Sequence, residues 1–133
     1  MQKFLLSFFS AAVLTTAAFA QKVNSYPVVI SFNSICCGVP DSGPIIKLIS
    51  SFKMQNRIKR IAVDSIGPMG KEGEYYLAFR FKELSKAQKI KFIRQLKKIV
   101  PAMVDKGSAA IKENVTVNKA DLSSRASIIK KIL

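Results

Sequence analysis

The sequence of 133 residues contains no histidine and only two cysteines. Without histidine the chain cannot form a Ser-His-Asp or Cys-His catalytic arrangement, and two cysteines alone leave a four-ligand zinc site incomplete. The two cysteines, Cys36 and Cys37, are neighbours, so they cannot join distant parts of one chain, and a disulfide framework is excluded. We therefore expect a protein that is not an enzyme and whose fold depends on an apolar core.

Acidic side chains are also scarce. The chain has 8 aspartates and glutamates against 22 lysines and arginines, which gives a formal net charge of +14. The few acids show no spacing that would bring two carboxylates together for acid–base catalysis. A field of this sign attracts anionic partners in general and speeds their encounter without selecting among them.

The first twenty residues have the pattern of a signal peptide. Lys3 precedes an apolar run that is interrupted only by serine and threonine, and the run ends in Ala18-Phe19-Ala20, which is the small-x-small pattern of a cleavage site. A membrane anchor is the weaker interpretation, because a spanning helix needs about 20 strongly apolar residues. We predict cleavage near Ala20 and a periplasmic or secreted mature protein that is not an integral membrane protein.

The pattern of residues 21–119 indicates a single α+β domain. Alternating apolar residues predict strands at 26–35, 61–66, 75–82 and 111–117, and apolar residues at helical spacing predict two amphipathic helices. The inward residues of the first helix are Ile45, Leu48, Ile49 and Phe52, and those of the second are Ile90, Ile93, Leu96, Val100 and Met103.

The resulting βαββαβ order is that of a ferredoxin-like sandwich, with a four-stranded antiparallel sheet and both helices on one face. Residues 120–133 form a C-terminal tail. In this tail Leu122, Ala126, Ile129 and Leu133 recur at helical spacing, which predicts a short amphipathic helix.

Cys36 and Cys37 fall between the first predicted strand and the first helix. Near the positive end of a helix a thiolate is favoured, so thiol chemistry is one interpretation. The placement resembles heavy-metal-associated domains and metallochaperones, although their usual spacing is Cys-x-x-Cys. The resemblance implies that both cysteines bind copper(I) or a similar soft metal ion. The residues themselves leave three alternatives open: a buried structural role, a strained vicinal disulfide, and cross-linking of two molecules.

A second hypothesis uses the basic surface to dock on an anionic envelope component or a protein partner. Lys71 lies in the glycine-rich loop after the second strand, and the outer sheet face and the second helix supply the other candidates, namely Tyr76, Arg80, Lys82, Lys91, Arg94 and Lys98. The outer face lacks the paired aromatic residues of RNA-binding domains. Together with the exported location, this argues against nucleic acid as the partner.

Overall fold

The computed structural model describes residues 23–122 and 124–133, so the predicted signal peptide lies outside the described residues. The described chain forms five strands, two α-helices and two short 3-10 helices. In chain order these are β1 (Val23–Ser34), α1 (Gly43–Asn56), β2 (Ala62–Gly67), β3 (Tyr75–Phe79), α2 (Lys86–Ile99), a 3-10 turn (Val100–Ala102), β4 (Gly107–Asn118), a second 3-10 turn (Lys119–Asp121) and β5 (Ser127–Ile132).

All five strands belong to one sheet in the order β4-β1-β3-β2-β5, and every pair of neighbouring strands is antiparallel. The predicted α+β class, with an antiparallel sheet and two helices, is confirmed. The predicted number of four strands is wrong, because β5 adds a fifth at the free edge of β2. The order of the first four strands is compatible with a ferredoxin-like arrangement.

The helix predicted for the C-terminal tail is a strand. Residues Ser127–Ile132 pair with Gly67–Ala62, and the backbone of Leu133 exchanges two hydrogen bonds with that of Ile61, with N···O distances of 2.9 and 3.1 Å. A helix of about three turns is marginal by itself in water. The open edge of β2 instead satisfies one side of the backbone of this segment, which explains why the helical spacing did not decide its structure.

The main core lies between the two helices and one face of the sheet. Val28, Ile30 and Phe32 of β1 and Leu77 and Phe79 of β3 are buried there. The predicted stripe of α1 also faces this core, with Ile45, Ile49 and Phe52 buried and Leu48 partly buried. Both helices therefore cover the same side of the sheet, as the sequence predicted.

The inward face of α2 differs from the prediction at its first turns. Ile90 is 52% exposed, whereas Phe92 is fully buried among Phe52, Phe79 and Phe81, with ring centroids between 4.9 and 5.7 Å apart. The helix begins after Ser85, whose side chain forms a capping box with Gln88. This start and the aromatic neighbours fix the rotation of α2 and turn Ile90 outward.

A second apolar cluster lies on the other face of the sheet. It contains Tyr26, Val29, Ile66, Ala78 and Val117. Tyr26 and Val28 are two residues apart in β1, so regular alternation would place them on the same face of the sheet. They belong to different clusters, so the alternation changes at the residue between them.

This change of face occurs where Pro27 of β1 lies opposite Asn114 of β4. Pro27 has no backbone N–H to donate, and Asn114 has a φ of 54°, in the left-handed region. The register of the two strands is the same on either side of this position. Both strands thus exchange faces together, and the outer face receives apolar residues of its own.

Leu122, in the connection from β4 to β5, packs against this second cluster. Since β4 and β5 occupy opposite edges of the sheet, the connection must pass from one edge to the other. It covers part of the outer face as it does so. Within the described residues, we find no helix with the length and apolar character needed to cross a membrane.

Candidate functional site

The two cysteines lie in the bend that follows β1. Both are exposed, and their Sγ atoms lie 2.8 Å apart, within hydrogen-bonding distance of each other. The next residue, Gly38, has a φ of +114°, which residues with a Cβ rarely adopt, so the chain turns sharply after the pair. A buried structural role for either cysteine does not match this arrangement.

The environment of Cys36 does not favour a thiolate. The hydrogen bond with Cys37 raises the pKa of the Cys36 thiol, and slight desolvation and the negative charge of Glu72 act in the same direction. Helix α1 begins only at Gly43, and the field of a helix terminus fades within one turn. The expectation of a lowered pKa from that helix is therefore wrong for Cys36.

As a metal site, the cysteine pair offers two sulfur ligands. In the described part of the chain, no group of three or more histidine, cysteine, aspartate or glutamate residues is placed to hold a metal ion. This donor set does not fit zinc, which takes four ligands in structural sites. Thiolates are the ligands that copper(I) prefers, so the pair fits a soft ion of low coordination number.

The predicted basic and aromatic residues do not form one surface. Lys91, Arg94 and Lys98 are exposed on α2, which covers the face of the sheet opposite to that of the second cluster. Tyr76 is half-buried against the second cluster, on the other side of the sheet. Lys71 is exposed in the loop between β2 and β3. The structure therefore separates these candidates into at least two regions.

Arg80 lies on the outer face of the sheet, where its side chain is 26% exposed and is held by two buried partners. Its Nη2 lies 2.7 Å and its Nε 3.1 Å from Oδ2 of Asp64, which is 3% exposed. The Tyr26 hydroxyl donates to the same oxygen at 2.7 Å, and the guanidinium lies 4.8 Å from the centre of the Tyr26 ring. We call these three residues the Asp64 network.

The Asp64 carboxylate influences the protonation of both Tyr26 and Arg80. Burial raises the pKa of Tyr26 to about 12, and its hydrogen bond to the Asp64 carboxylate adds to this effect. The bond to Asp64 also raises the pKa of Arg80. The network is thus an ion pair with a neutral tyrosine, and it fixes β1, β2 and the end of β3 to one another.

Sequence reasoning missed Asp64, although a signal was present. Asp64 directly follows Val63 in the predicted strand 61–66, whose residues Ile61 and Val63 face the main core, so the alternation directs Asp64 toward the outer face. In the observed register Asp64 pairs with Ala78, and Arg80 follows two residues later, immediately beyond the end of β3. A correct register alone would have brought the two charges together.

A groove of about 840 Å³ opens beside the Asp64 network on the outer face of the sheet. Cations from four separate segments line it: Arg60, Arg80, Lys82, Lys119, Lys130 and Lys131. The lining carboxylates are Asp64 and Glu83. We call this region the basic groove.

Most of the positive charge in the basic groove is uncompensated. Among the described residues, ion pairs join Arg80 to Asp64 and Lys97 to Glu113. The other five groove cations form no ion pair with any described residue, and Glu83 is the one further carboxylate that the described residues bring to the groove. Of the residues predicted for an anion site, the groove contains only Arg80 and Lys82.

Comparison with known proteins found no matching family model, no matching curated protein and no matching solved structure. The function must therefore be inferred from the residues and their arrangement.

Proposed function

We propose that the chain is a small exported binding domain, without catalytic activity, that docks on an anionic component of the cell envelope through the basic groove. The observation that carries this proposal is the convergence around one concave surface of five cations that form no ion pair within residues 23–122 and 124–133. Export is taken from the signal-peptide pattern of residues 1–20. We further propose that the domain is ferredoxin-like and extended by β5, which is supported by its βαββαβ order.

The chemistry of the groove favours a flexible polymer with repeated negative charges. Four of its five unpaired cations are lysines, which act as compact point charges without the bidentate geometry of arginine. None of the described residues that line the groove is aromatic, so they offer no platform on which nucleic-acid bases could stack. A concave surface also contacts a linear chain more fully than it contacts a flat membrane.

The test compares binding of inorganic polyphosphate, used as a probe, by the wild-type protein and by a groove variant. The groove variant replaces Lys82, Lys119 and Lys131 with glutamine. Lys130 is left unchanged because it lies directly opposite Asp64 in the register of β5 and β2, where a substitution could disturb the Asp64 network. We expect the variant to bind at least about tenfold more weakly, which corresponds to ~1.4 kcal/mol, and we expect wild-type binding to weaken as salt increases.

The matched control removes the same amount of charge from the opposite side of the protein. It replaces Lys91, Arg94 and Lys98 on α2 with glutamine, so that the net charge equals that of the groove variant. We expect its affinity to stay much closer to that of the wild type. An equal loss in both variants would show that only net charge matters and would contradict the proposal. If the protein instead binds anionic lipid vesicles more tightly than polyphosphate, the partner of the groove is a membrane surface and not a polymer.

The second candidate function is binding of a soft metal ion by Cys36 and Cys37. It is favoured by one observation, the exposure of two adjacent sulfur atoms. We expect the reduced protein to bind one equivalent of copper(I), and we expect replacement of both cysteines with serine to abolish this binding. Unchanged affinity in the double variant, measured by competition with a copper(I) chelator, would remove this candidate.

A further inference from the structure

The cysteine pair has the geometry for a reaction between its own two sulfur atoms. The Sγ atoms of Cys36 and Cys37 are 2.8 Å apart, and both residues are exposed. A disulfide bond measures about 2.05 Å, so less than about 1 Å of approach separates the thiols from bonding distance. The pair is also accessible to a reagent from solvent.

We propose that Cys36 and Cys37 form a reversible vicinal disulfide by exchange with a small-molecule disulfide such as glutathione disulfide. This inference does not depend on the basic groove or on metal binding. It assigns a redox modification site to the loop between β1 and α1.

The reaction proceeds in two exchange steps. In the first, one cysteine loses its proton and attacks the glutathione disulfide, which forms a mixed disulfide and releases one glutathione thiolate. In the second, the neighbouring cysteine loses its proton and attacks the protein sulfur of the mixed disulfide, which closes the bond and releases the second glutathione thiolate. The two cysteines together lose two protons and two electrons, and the glutathione disulfide gains them as two molecules of glutathione.

The arrangement favours the second step over reaction with another molecule. The resolving sulfur is already in contact with the sulfur that it must reach, so its effective concentration greatly exceeds that of any external thiol. The loop around the pair also leaves it open, since Gly38 has no side chain and Ile35 is 76% exposed. Among the described residues, those next to the cysteine pair in sequence therefore do not block the approach of a small disulfide.

Such a bond suits reversible exchange better than structural cross-linking. Adjacent Cα atoms are about 3.8 Å apart, whereas ordinary disulfides join Cα atoms about 4.4–6.8 Å apart. Disulfides outside the usual geometry, and exposed ones, are the more easily reduced class. The vicinal bond also closes no loop of chain, so it can add little to the stability of the fold.

The experiment incubates the reduced protein with glutathione disulfide, blocks the remaining thiols by alkylation and digests with trypsin. Trypsin cuts after Lys22 and Lys47, so one peptide, residues 23–47, carries both cysteines. We expect this peptide to be lighter than its reduced form by two hydrogen atoms, with neither an alkyl group nor glutathione attached. Non-reducing electrophoresis should show a monomer, and excess reduced glutathione should restore both thiols.

Cys36→Ser and Cys37→Ser serve as matched controls, because each retains one thiol that can begin the reaction but not complete it. Each should accumulate the mixed disulfide with glutathione. The inference is overturned if the wild-type peptide also keeps glutathione, if it stays fully reduced, or if it forms disulfide-linked dimers. A closed bond that resists excess reduced glutathione would overturn the reversible character of the site.

Discussion

Replacing Asp64 with asparagine tests whether the Asp64 network stabilises the fold. The carboxylate accepts three hydrogen bonds at one oxygen, two from Arg80 and one from Tyr26. Asparagine has nearly the same shape but no charge. The substitution therefore leaves Arg80 as a cation without a counter-ion while it disturbs packing very little.

The expected cost follows from the burial of the two partners. Removing one partner of a fully buried ion pair costs about 3–5 kcal/mol. The Arg80 side chain is 26% exposed, whereas that of Asp64 is only 4% exposed, so water partly compensates the guanidinium in the variant. We therefore expect Asp64→Asn to lower the free energy of unfolding by about 2–3 kcal/mol. Tyr26→Phe, which removes one hydrogen bond to the carboxylate, should cost about 1–2 kcal/mol.

The assay is urea unfolding followed by circular dichroism, which reports the free energy of unfolding of each variant. The matched control is Glu113→Gln, which breaks an ion pair on the protein surface. That pair joins Lys97 and Glu113, whose side chains are 51% and 43% exposed, so its loss should cost less than about 1 kcal/mol. If Asp64→Asn costs no more than Glu113→Gln, the network does not stabilise the fold and this reasoning is refuted.

Three further predictions concern pH, the core and one close backbone contact. The pKa of Tyr26 is about 12 in the folded protein and about 10 when unfolded, so the stability that its neutral hydroxyl contributes is complete below pH 10 and is lost as the pH rises toward 12. Urea unfolding between pH 10 and 12 should therefore show a smaller fall in the free energy of unfolding for Tyr26→Phe than for the wild type. Phe92→Ala should cost about 3–5 kcal/mol, whereas Ile90→Ala, at a residue that is 52% exposed, should cost less than about 1 kcal/mol; equal costs would restore the original assignment of the α2 stripe. Gly107→Ala should lower the urea midpoint markedly, since its Cβ would collide with the backbone carbonyl of Asn33, and a midpoint unchanged from the wild type would refute that contact.

Local periodicity was sufficient to predict the elements that face one core. Ile45, Ile49 and Phe52 follow the helical period and are buried as expected. In α2 the same period fits two rotations, one with Ile90 inward and one with Phe92 inward. The choice between them depends on aromatic residues from α1 and from the end of β3, which periodicity cannot reveal.

The fifth strand and the basic groove depend on contacts between distant parts of the chain. The tail has apolar residues at helical spacing, and only the free edge of β2 makes it a strand. That strand then brings Lys130 and Lys131 to the same groove as Arg60 and Lys82. The cysteines, in contrast, could be placed in the correct loop from the sequence, but their mutual contact and exposure required the structure.

The attachment of Leu133 to Ile61 has a practical consequence for work with this protein. Leu133 packs against the main core and is hydrogen-bonded through its backbone to the residue that follows Arg60. An affinity tag or fluorescent label fused after Leu133 would emerge beside the basic groove, where a histidine-rich or acidic extension would disturb the binding that it was meant to report. Labels for such measurements are better attached on the solvent side of α2.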